Sequence, residues 1–385
     1  MEKLATEGGT PVRNKKLPMV LPFFGKEEIR AVTECIESTW ISSDGPKGRE
    51  LEGQLQKYLK VKHAILVNNC TSAMHLGLWA ADIRGGNTVI PDYTFTSTGL
   101  APLAVQSKPK MIDVEYETAN IDPNKIKITK ETRAIIPVHY AGHAADLEPI
   151  IKKAKEENVL VIEDAAQALG SEYKEKKLGT IGDIGCFSFH AVKNITCGEG
   201  GALVTNNDEI AKKARIIRDK GTNKAEFNIH KNIGFYDYVM EGHNFMFSDI
   251  LAALTLEQLK KIEEINRRRT ANSQYLIKEL EKLNKKNLIL PIVKKYTKTN
   301  WNLFTIRVKE DISKVTKALN AEGITANIHF TPLHLTTLYK KYINKEEKFP
   351  VSEKVYGSLI RLPMYPGLTK EELDDIVKAV DKVIQ

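Results

Sequence analysis

The sequence predicts an α/β fold: a mostly parallel seven-stranded sheet flanked by helices, followed by a smaller C-terminal α+β domain. Short apolar, β-branched runs alternate with amphipathic segments from residue 64 onward, which is the pattern of a parallel sheet covered on both faces. After about residue 250 the alternation gives way to charged helices around one isolated strand. A chain of 385 residues also exceeds the usual size of a single compact core.

The predicted strands are apolar runs bounded by polar turns. They are AILVN (64–68), TVIP (88–91), KMIDV (110–114), RAIIPV (133–138), VLVIE (159–163), GCFSF (185–189) and GALVT (201–205). Helical spacing of apolar residues predicts helices over Thr71–Ala81, Leu147–Glu157 and Asp208–Asp219. Parallel sheets bind ligands at the carboxyl ends of their strands, so the residues just after each run are the candidates for a site.

The C-terminal part is predicted to contain a long helix over about Ser248–Asn272, a strand over 300–308 and a closing helix over Lys370–Ile384. We place the large domain at residues 1–265 and the small domain at 266–385. The N-terminal segment 1–60 could pack on the small domain. The stretch Gly221–Glu241 lacks periodicity, and a loop of that length inside a compact domain is usually functional.

Composition excludes several classes of protein. Hydrophobic residues make up 42% and charged residues 28% of the chain, and no stretch approaches the roughly 18 apolar residues of a membrane helix. The N-terminus has no apolar segment typical of a secretion signal. We therefore expect a cytoplasmic protein with no membrane partner.

Charge and cysteine content limit the kinds of ligand that we expect the protein to bind. The net charge of +8 mildly favours anions such as a nucleotide diphosphate. Basic residues are mixed with acidic ones along helices such as Glu257–Arg269, so nucleic acid is not expected. The four cysteines lie far apart without a C-x-x-C pair, which predicts neither a metal site nor disulfides.

The ends of the first two strands carry hydroxyls and aromatic rings. After the first strand, Thr71 and Ser72 open a helix, where hydroxyls and backbone N–H groups form an anion pocket. A simple N-cap by either hydroxyl explains them equally well. After the second strand, Tyr93 and Phe95 share one face if the chain is extended, and core packing is the commoner fate of such rings.

The fifth and sixth strands end in groups of opposite charge. Asp164 closes an apolar run and must meet a cation or a strong donor, because burying it unpaired costs several kcal/mol. Ser188 and His190 alternate onto one face, and Lys193 follows in a Gly-rich segment. Alone, Lys193 is more often an exposed lysine, and His190 could be a packed neutral histidine.

Together these groups match the needs of pyridoxal 5′-phosphate. Lys193 would form the Schiff base, Asp164 would keep the pyridine nitrogen protonated, and the helix start at Thr71 would take the phosphate. The ring needs a flat apolar partner, a role for which we prefer Phe95 to Tyr93. Proton transfer by Lys193 requires an amine pKa well below its free value of about 10.4.

The chain resembles the DegT/StrS-type pyridoxal-phosphate aminotransferases, which act on keto sugars of nucleotide diphosphates and have fold type I. EDAAQALG (163–170) is similar to the family's aspartate segment, GDIGCFSFHAVKNITCGEGG (182–201) to its lysine segment, and GHNFMFSD (242–249) to the segment that reaches the neighbouring subunit's site. The resemblance extends from IESTWISSDGP (36–46) to RLPMYPGLT (361–369).

The resemblance implies roles for further residues. Ser188 would bind the cofactor phosphate beside Thr71 and Ser72, and Gln167 would approach the ring or its phenolic oxygen. Asn244 would donate to the phosphate from the other subunit, which makes the enzyme at least a homodimer with shared active sites.

One motif departs from the family. Many members have a basic residue where this chain has Met246, as in N-Y-R or N-Y-K, so another residue is expected to hold the diphosphate or the amino donor. The loop 218–227 is similar to the enteric dTDP-4-keto-6-deoxyglucose transaminases. His190 completes F-S-F-H before the lysine, as in relatives that aminate carbon 4, whereas F-S-F-Y is typical of carbon 3.

The resemblance implies transfer of an amino group, from glutamate as the expected donor, to carbon 4 of a nucleotide-linked 4-keto-6-deoxy sugar. Alternatives are a sugar 3-aminotransferase, a sugar dehydratase of the same fold and, more remotely, a non-catalytic DNA-binding member. Lys193 opposes the dehydratase, since relatives of that kind have histidine there. His329 is a candidate substrate contact, and a surface-turn histidine is its alternative.

Overall fold

The computed structural model describes residues 3–223, 236–344 and 346–384. Strands are numbered in chain order. They are β1 (His63–Val67), β2 (Asn87–Pro91), β3 (Lys108–Ile112), β4 (Thr132–Ile135), β5 (Leu160–Asp164), β6 (Glu172–Tyr173), β7 (Lys176–Lys177), β8 (Ile184–Ser188), β9 (Gly201–Thr205), β10 (Leu288–Ile289), β11 (Thr297–Lys298), β12 (Phe304–Val308) and β13 (Leu359–Leu362).

The helices are also numbered in chain order. They are α1 (Lys26–Glu37), α2 (Pro46–Leu59), α3 (Cys70–Ala80), α4 (Thr96–Ala104), α5 (Leu147–Glu156), α6 (Asp208–Arg218), α7 (Asp249–Lys260), α8 (Ile262–Lys282), α9 (Ile312–Ala321), α10 (Pro350–Tyr356) and α11 (Lys370–Val383). Among the described residues, no helix combines the length and the apolar character needed to cross a membrane.

The central sheet has seven strands in the order β1-β9-β8-β5-β4-β2-β3. Neighbours run parallel except β9, which lies antiparallel between β1 and β8. Each predicted run overlaps one of these strands, so the predicted mostly parallel sheet is confirmed. The predicted fourth strand extends too far: β4 ends at Ile135, and Pro137 has no N–H to continue a ladder.

Helices cover both faces of this sheet. Alternation along β1 places Ile65 and Val67 in a core with α3 and α6, and Ala64 and Leu66 in a core with α2 and α7. Helix α5 packs on the second face over β2, β4 and β5 through residues such as Ile150. The strand ends that carry the candidate residues therefore lie at one edge of a rigid, doubly covered sheet.

The single long helix predicted over Ser248–Asn272 is wrong, because the chain breaks at Lys261 into α7 and α8. The Lys261 side chain pairs there with Glu27 and Glu28 of α1. Helix α7 packs on α1 and α2, while Leu276 and Leu280 of α8 belong to the C-terminal core. Helices α7 and α8 thus pack against different parts of the protein.

The C-terminal part forms an antiparallel sheet, β10-β12-β13, covered by α9 and α11. Its core includes Leu17, whereas Leu51 and Leu55 of α2 lie in the core of the large sheet. The predicted division at residue 265 stays a prediction, since α8 contributes to both cores. The predicted strand over 300–308 begins only at Phe304, because the side chains of Asn300 and Asn302 are bonded to loops beside the large sheet.

The loop predicted over Gly221–Glu241 is described only at its ends. Asn223 donates its backbone N–H to Asp237, and Val239 donates to Gly221. Residues 224–235 lie outside the described residues, and with them the last four positions of the similarity noted for the loop 218–227.

Candidate active site

Lys193 lies in the turn that follows β8. Its backbone N–H donates to His190 O at 2.9 Å, and Ala191 donates to Gly198 O at 3.0 Å, which closes the turn. The side chain is half-buried. Burial lowers the pKa of the Lys193 amine, and the charge of Arg361 adds to this, while Cys70 and Asp164 act in the opposite direction. The environment therefore shifts the Lys193 amine toward its neutral form.

A buried amide network fixes the residue after this lysine. Asn194 donates to Asn266 Oδ1 at 2.7 Å and to Asn300 O at 3.0 Å, and its own Oδ1 accepts from Asn302 Nδ2 at 2.8 Å. Asn266 belongs to α8, and the other two partners precede β12. Because fully bonded buried amides restrain each other's rotamers, the network holds the lysine turn against the helix and the C-terminal segment.

Asp164 ends β5 and is 5% exposed. Its Oδ2 accepts from Thr98 Oγ1 at 2.8 Å, and its Oδ1 accepts from Ala166 N at 3.2 Å. Burial raises the pKa of this carboxyl, although both hydrogen bonds and the charges of Lys193 and His139 lower it. No described cation forms an ion pair with Asp164, so its partners are neutral donors, as suits a carboxylate that receives the cation of a ligand.

Helix α3 begins earlier than a hydroxyl cap at Thr71 or Ser72 would allow. Its N-cap is Asn69, whose Oδ1 accepts from Ser72 N at 2.8 Å. The alternative in which Thr71 or Ser72 caps the helix is thus wrong, because Asn69 already satisfies the N–H in question. Both hydroxyls are left for other contacts.

Two helix N-termini meet at this point. Thr71 Oγ1 lies 2.6 Å from Ser97 Oγ in the first turn of α4, and the N-cap residue of α4, Phe95, provides no side-chain cap. The positive ends of the two helix dipoles and two hydroxyls therefore converge, which is the arrangement that binds a phosphate. Ser97 carried no recognisable signal in the sequence, because its role depends on α3 lying beside α4.

Ser188 joins this region through Gly201. The two residues pair across β8 and β9, and a Cβ on Gly201 would lie 2.7 Å from Cys70 N. Only glycine allows the start of α3 to approach β9 this closely. Ser188, Thr71 and Ser97 thus line one corner of the site, and their hydroxyls fit the phosphate of the predicted cofactor.

The two aromatic candidates, Tyr93 and Phe95, differ in exposure. Tyr93 is fully buried, and its hydroxyl donates to His329 O at 2.7 Å. Phe95 is 54% exposed, and its ring lies 5.4 Å from that of Phe330 at 44°. Tyr93 therefore belongs to the core, and Phe95 offers the accessible apolar face that a cofactor ring needs.

Gln167 and His329 are each held in place by hydrogen bonds. Gln167 Oε1 accepts from Ala141 N at 2.7 Å, which leaves its amide nitrogen for another acceptor. The carbonyl of His329 accepts from the hydroxyls of Tyr93 and Tyr140, and its buried Nδ1 has no partner among the described residues. Burial, Arg361 and Lys193 lower the pKa of His329. The surface-turn alternative for His329 is therefore wrong.

His190 organises the lysine turn. Its Nδ1 accepts from Val192 N at 3.4 Å, and its Nε2 lies 3.5 Å from Glu199 Oε1. Its side chain is 44% exposed, so the alternative of a packed histidine does not describe it. A contact with substrate stays a prediction.

These elements place a lysine amine, a buried carboxylate and a hydroxyl-lined phosphate corner around one cleft. The sequence model of the DegT/DnrJ/EryC1/StrS aminotransferase family matches residues 22–381. The chain belongs to the DegT/DnrJ/EryC1/StrS aminotransferase family. The predicted resemblance and the prediction of an enzyme are thereby confirmed.

Three family relatives are similar over nearly their whole length. The spore coat polysaccharide biosynthesis protein SpsC of Bacillus subtilis is 36% identical over 385 residues, covering 97% of this chain and 98% of SpsC. Helicobacter pylori PseC, an aminotransferase involved in pseudoaminic acid biosynthesis, superposes with TM-score 0.88 at 28% identity, covering 96% and 99%. The PLP form of the putative sugar aminotransferase Spr1654 from Streptococcus pneumoniae superposes with TM-score 0.86 at 27% identity, covering 96% of this chain and 100% of Spr1654.

Asn244 lies apart from these groups on the surface of the protomer. It is exposed, and its backbone bridges to Asp219. The neighbouring Phe245 accepts from Asn68 N at 3.0 Å, which fixes the segment beside the end of β1. The role assigned to Asn244 in the partner's site stays a prediction.

Several residues of the cleft could not be recognised from the sequence. Thr98 occupies an unremarkable helical position, yet it donates to Asp164. Arg361 precedes Leu-Pro-Met-Tyr-Pro in a motif noted only for its similarity, yet its charge acts on Lys193. Only the fold, which brings α4 under β5 and β13 beside the lysine turn, shows these contacts.

Proposed function

We propose that this family member is a sugar aminotransferase that uses pyridoxal 5′-phosphate. In our proposal it moves an amino group from L-glutamate to carbon 4 of a nucleotide-diphosphate-linked 4-keto-6-deoxy sugar. The observation that carries the proposal is a buried carboxylate, Asp164, with neutral donors only, close to an amine whose pKa is lowered, Lys193. The PLP form of Spr1654 and the pathways named for PseC and SpsC support the cofactor and the substrate class.

When bound, pyridoxal phosphate supplies an electron sink for the carbon that exchanges its amino group. Asp164 holds the proton of the ring nitrogen and satisfies its own buried charge by doing so. Lys193 holds the cofactor and then moves the proton at the substrate carbon, for which a neutral amine is required. Thr71, Ser97 and Ser188 bind the phosphate and orient the ring.

Apolar rings also lie at the cleft. Phe95 would cover one side of the cofactor ring, and Phe330 packs against Phe95. The segment that carries Phe330 is fastened to the end of β2, where Asp92 accepts from the N–H and the ring of His334 at 2.9 and 2.7 Å. Water displaced from the cleft by a bound substrate would strengthen the electrostatic contacts between the enzyme and the reacting groups.

Carbon 4 is supported by the resemblance of F-S-F-H, with His190, to relatives that aminate that position. A panel of UDP-, dTDP- and GDP-linked 4-keto-6-deoxy sugars with L-glutamate tests it, with the amine position read from product NMR. Amine at carbon 4 supports the proposal, and amine at carbon 3 overturns the regiochemistry. A dehydrated sugar without nitrogen would indicate the dehydratase alternative.

We also propose a homodimer in which Asn244 completes the partner's site. Trp40 and Ile41 are about half exposed, and Asp249 donates to Ser42 O, so an exposed apolar surface adjoins the segment of Asn244. Exposed apolar surface of this kind is typical of an interface.

Mixing two inactive variants tests the shared site. Lys193→Ala and Asn244→Ala chains are unfolded and refolded together in equal amounts. Because half of the dimers are then mixed and each has one intact site, about a quarter of wild-type activity should return. No recovery, with dimers present by light scattering, would place Asn244 in its own chain's site, whereas full activity of Asn244→Ala alone would place it outside the reaction.

A further inference from the structure

The first turn of α4 carries residues that we assign to three parts of the cofactor site. Phe95, the N-cap residue, is the proposed partner of the ring, and Ser97 is one of the hydroxyls proposed to bind the phosphate. Thr98 donates to the carboxylate of Asp164. The N-cap side chain forms no hydrogen bond with this turn. The position of the turn therefore depends on contacts from elsewhere in the chain.

Tyr339 provides such a contact at the residue in the middle of this group. It begins a short 3₁₀ helix, Tyr339–Tyr342, and is 2% exposed. Its hydroxyl donates to Thr96 O at 2.8 Å and lies 2.9 Å from Thr96 Oγ1. Because a phenol has one proton and the carbonyl receives it, Thr96 Oγ1 is the donor of the second bond. Burial raises the pKa of Tyr339, so the hydroxyl keeps this proton at neutral pH.

Gly99 leaves the space beside α4 that the Tyr339 ring occupies. A Cβ at position 99 would lie 2.5 Å from Cε1 and 2.6 Å from Oη of Tyr339. Glycine inside a helix is less favourable than alanine, so α4 contains a weak helix former at the point where the ring packs. The ring therefore fills a space that only glycine leaves open, and this packing holds the hydroxyl against Thr96.

The chain just before Tyr339 is fastened to the end of β2. Leu333 donates its N–H to Asp92 O, and His334 donates its N–H to Asp92 Oδ1, both at 2.9 Å. His334 Nδ1 also lies 2.7 Å from Asp92 Oδ2. Because this segment is anchored on the central sheet, Tyr339 can hold the first turn of α4 in place relative to that sheet.

We propose that Tyr339 is a positioning residue for the cofactor phosphate. The inference rests on the proposed function, since it concerns how that cofactor is held. By fixing Thr96, Tyr339 keeps the first turn of α4 next to the start of α3, where the hydroxyls of Ser97 and Thr71 meet. A phosphate bound at helix N-termini loses affinity when one of its donors turns away. Tyr339 acts through Thr96 and not by contact with the cofactor.

The preference of the apoprotein for pyridoxal phosphate over pyridoxal measures this contribution. Both aldehydes can bond to Lys193, but only one has a phosphate. Each is titrated into the apo forms of wild type, Tyr339→Phe and Tyr342→Phe while the absorbance is followed. Tyr339→Phe deletes the hydroxyl and keeps the ring, so the ratio of the two affinities should fall about tenfold.

Tyr342→Phe is the matched control for this titration. It removes a hydroxyl from the same short helix, and that hydroxyl forms no hydrogen bond with any residue that the structure describes. The ratio of affinities should therefore stay at its wild-type value. An unchanged ratio in Tyr339→Phe, or an equal fall in Tyr342→Phe, would overturn the proposal. A lower melting temperature without a change in the ratio would show that Tyr339 is merely structural.

Gly99→Ala perturbs the same contact from the side of the helix. The added Cβ would displace the Tyr339 ring, although alanine itself favours the helix. The preference for pyridoxal phosphate should fall here as well. If Tyr339→Phe fails to fold, an unchanged preference in Gly99→Ala overturns the proposal.

Inorganic phosphate provides a readout without the cofactor. At constant ionic strength it should raise the melting temperature of the wild-type apoprotein, and raise it less in Tyr339→Phe. An equal shift in the two proteins, or no shift in either, contradicts the role of Tyr339. A wild type that binds neither aldehyde contradicts the proposed function itself. A wild type that prefers pyridoxal phosphate, together with a Tyr339→Phe variant of the same preference, contradicts only the role of Tyr339.

Discussion

Thr98→Val removes one of the two hydrogen bonds that Asp164 receives. Thr98 must donate to the carboxylate, so its oxygen accepts the proton of Thr94, 2.8 Å away. The three groups form a buried relay from Thr94 through Thr98 to Asp164, all of them 5% exposed or less. Valine has nearly the shape of threonine, so the change deletes the donor and leaves the packing in place.

The magnitude follows from the charge of the acceptor. A hydrogen bond to a charged group contributes about 1.5–3 kcal/mol. Without it, the ionised form of Asp164 is less favourable, and the protonated ring nitrogen loses part of its partner. We therefore expect the cofactor to bind about tenfold to a hundredfold more weakly in Thr98→Val, since each 1.4 kcal/mol corresponds to a factor of about ten.

Cofactor affinity is measured by titrating the apoprotein with pyridoxal phosphate and following absorbance. Thr94→Val is the matched control: it makes the same chemical change at the hydroxyl that lies one hydrogen bond further from the carboxylate. It should weaken the affinity by no more than about 1 kcal/mol, the net contribution of a neutral hydrogen bond. Equal effects of the two variants, or no effect of Thr98→Val, would refute the view that Asp164 is tuned through Thr98.

Three further changes have defined outcomes. Folding raises the pKa of Asp164, so ionisation of this carboxyl lowers the stability of the folded protein as the pH rises past about 3.9. The melting temperature of apo Asp164→Asn should therefore rise relative to that of apo wild type between about pH 4 and pH 7. A difference in melting temperature that does not change with pH would contradict this. Asn194→Ala should cost about 1–3 kcal/mol in urea unfolding, because it leaves buried amides unpaired, and an unchanged midpoint would show that the network does not hold the lysine turn. Burial lowers the pKa of His334, but Asp92 and Glu353 outweigh burial and raise the pKa. The stability that the charged ring adds is therefore complete below about pH 6.5 and is lost as the pH rises through the higher pKa of the folded protein. The stability advantage of wild type over His334→Gln should shrink between about pH 6 and pH 9, and an increase in that advantage would contradict the assignment.

The sequence predicted the sheet because apolar period and turn residues are local signals. It could not predict that β9 runs antiparallel, since strand direction depends on which strands become neighbours. The break at Lys261 also lacked a local signal: neither glycine nor proline occurs there, and Lys261 pairs at that point with Glu27 and Glu28 of a helix distant in the chain.

The candidate site shows the same division. Lys193, Asp164 and the hydroxyls of Thr71 and Ser188 stand at strand and helix ends, where position along the chain already suggests chemistry. Thr98, Ser97 and Asn194 act only through contacts between distant elements, and Arg361 acts through its charge on Lys193, so no spacing could single them out. Asn69 displaced the expected caps because three hydroxyl or amide side chains compete at one helix start, and only geometry decides between them.

The position of the cofactor on the chain tests the central claim most directly. Pyridoxal phosphate is added to the purified protein, the bond is fixed with borohydride, and the labelled peptide is identified by mass spectrometry. We expect the label on the peptide that contains Lys193, at that residue, and no label at that position in Lys193→Ala. A stoichiometric label on any other lysine, or no bound chromophore at all, would contradict the site described.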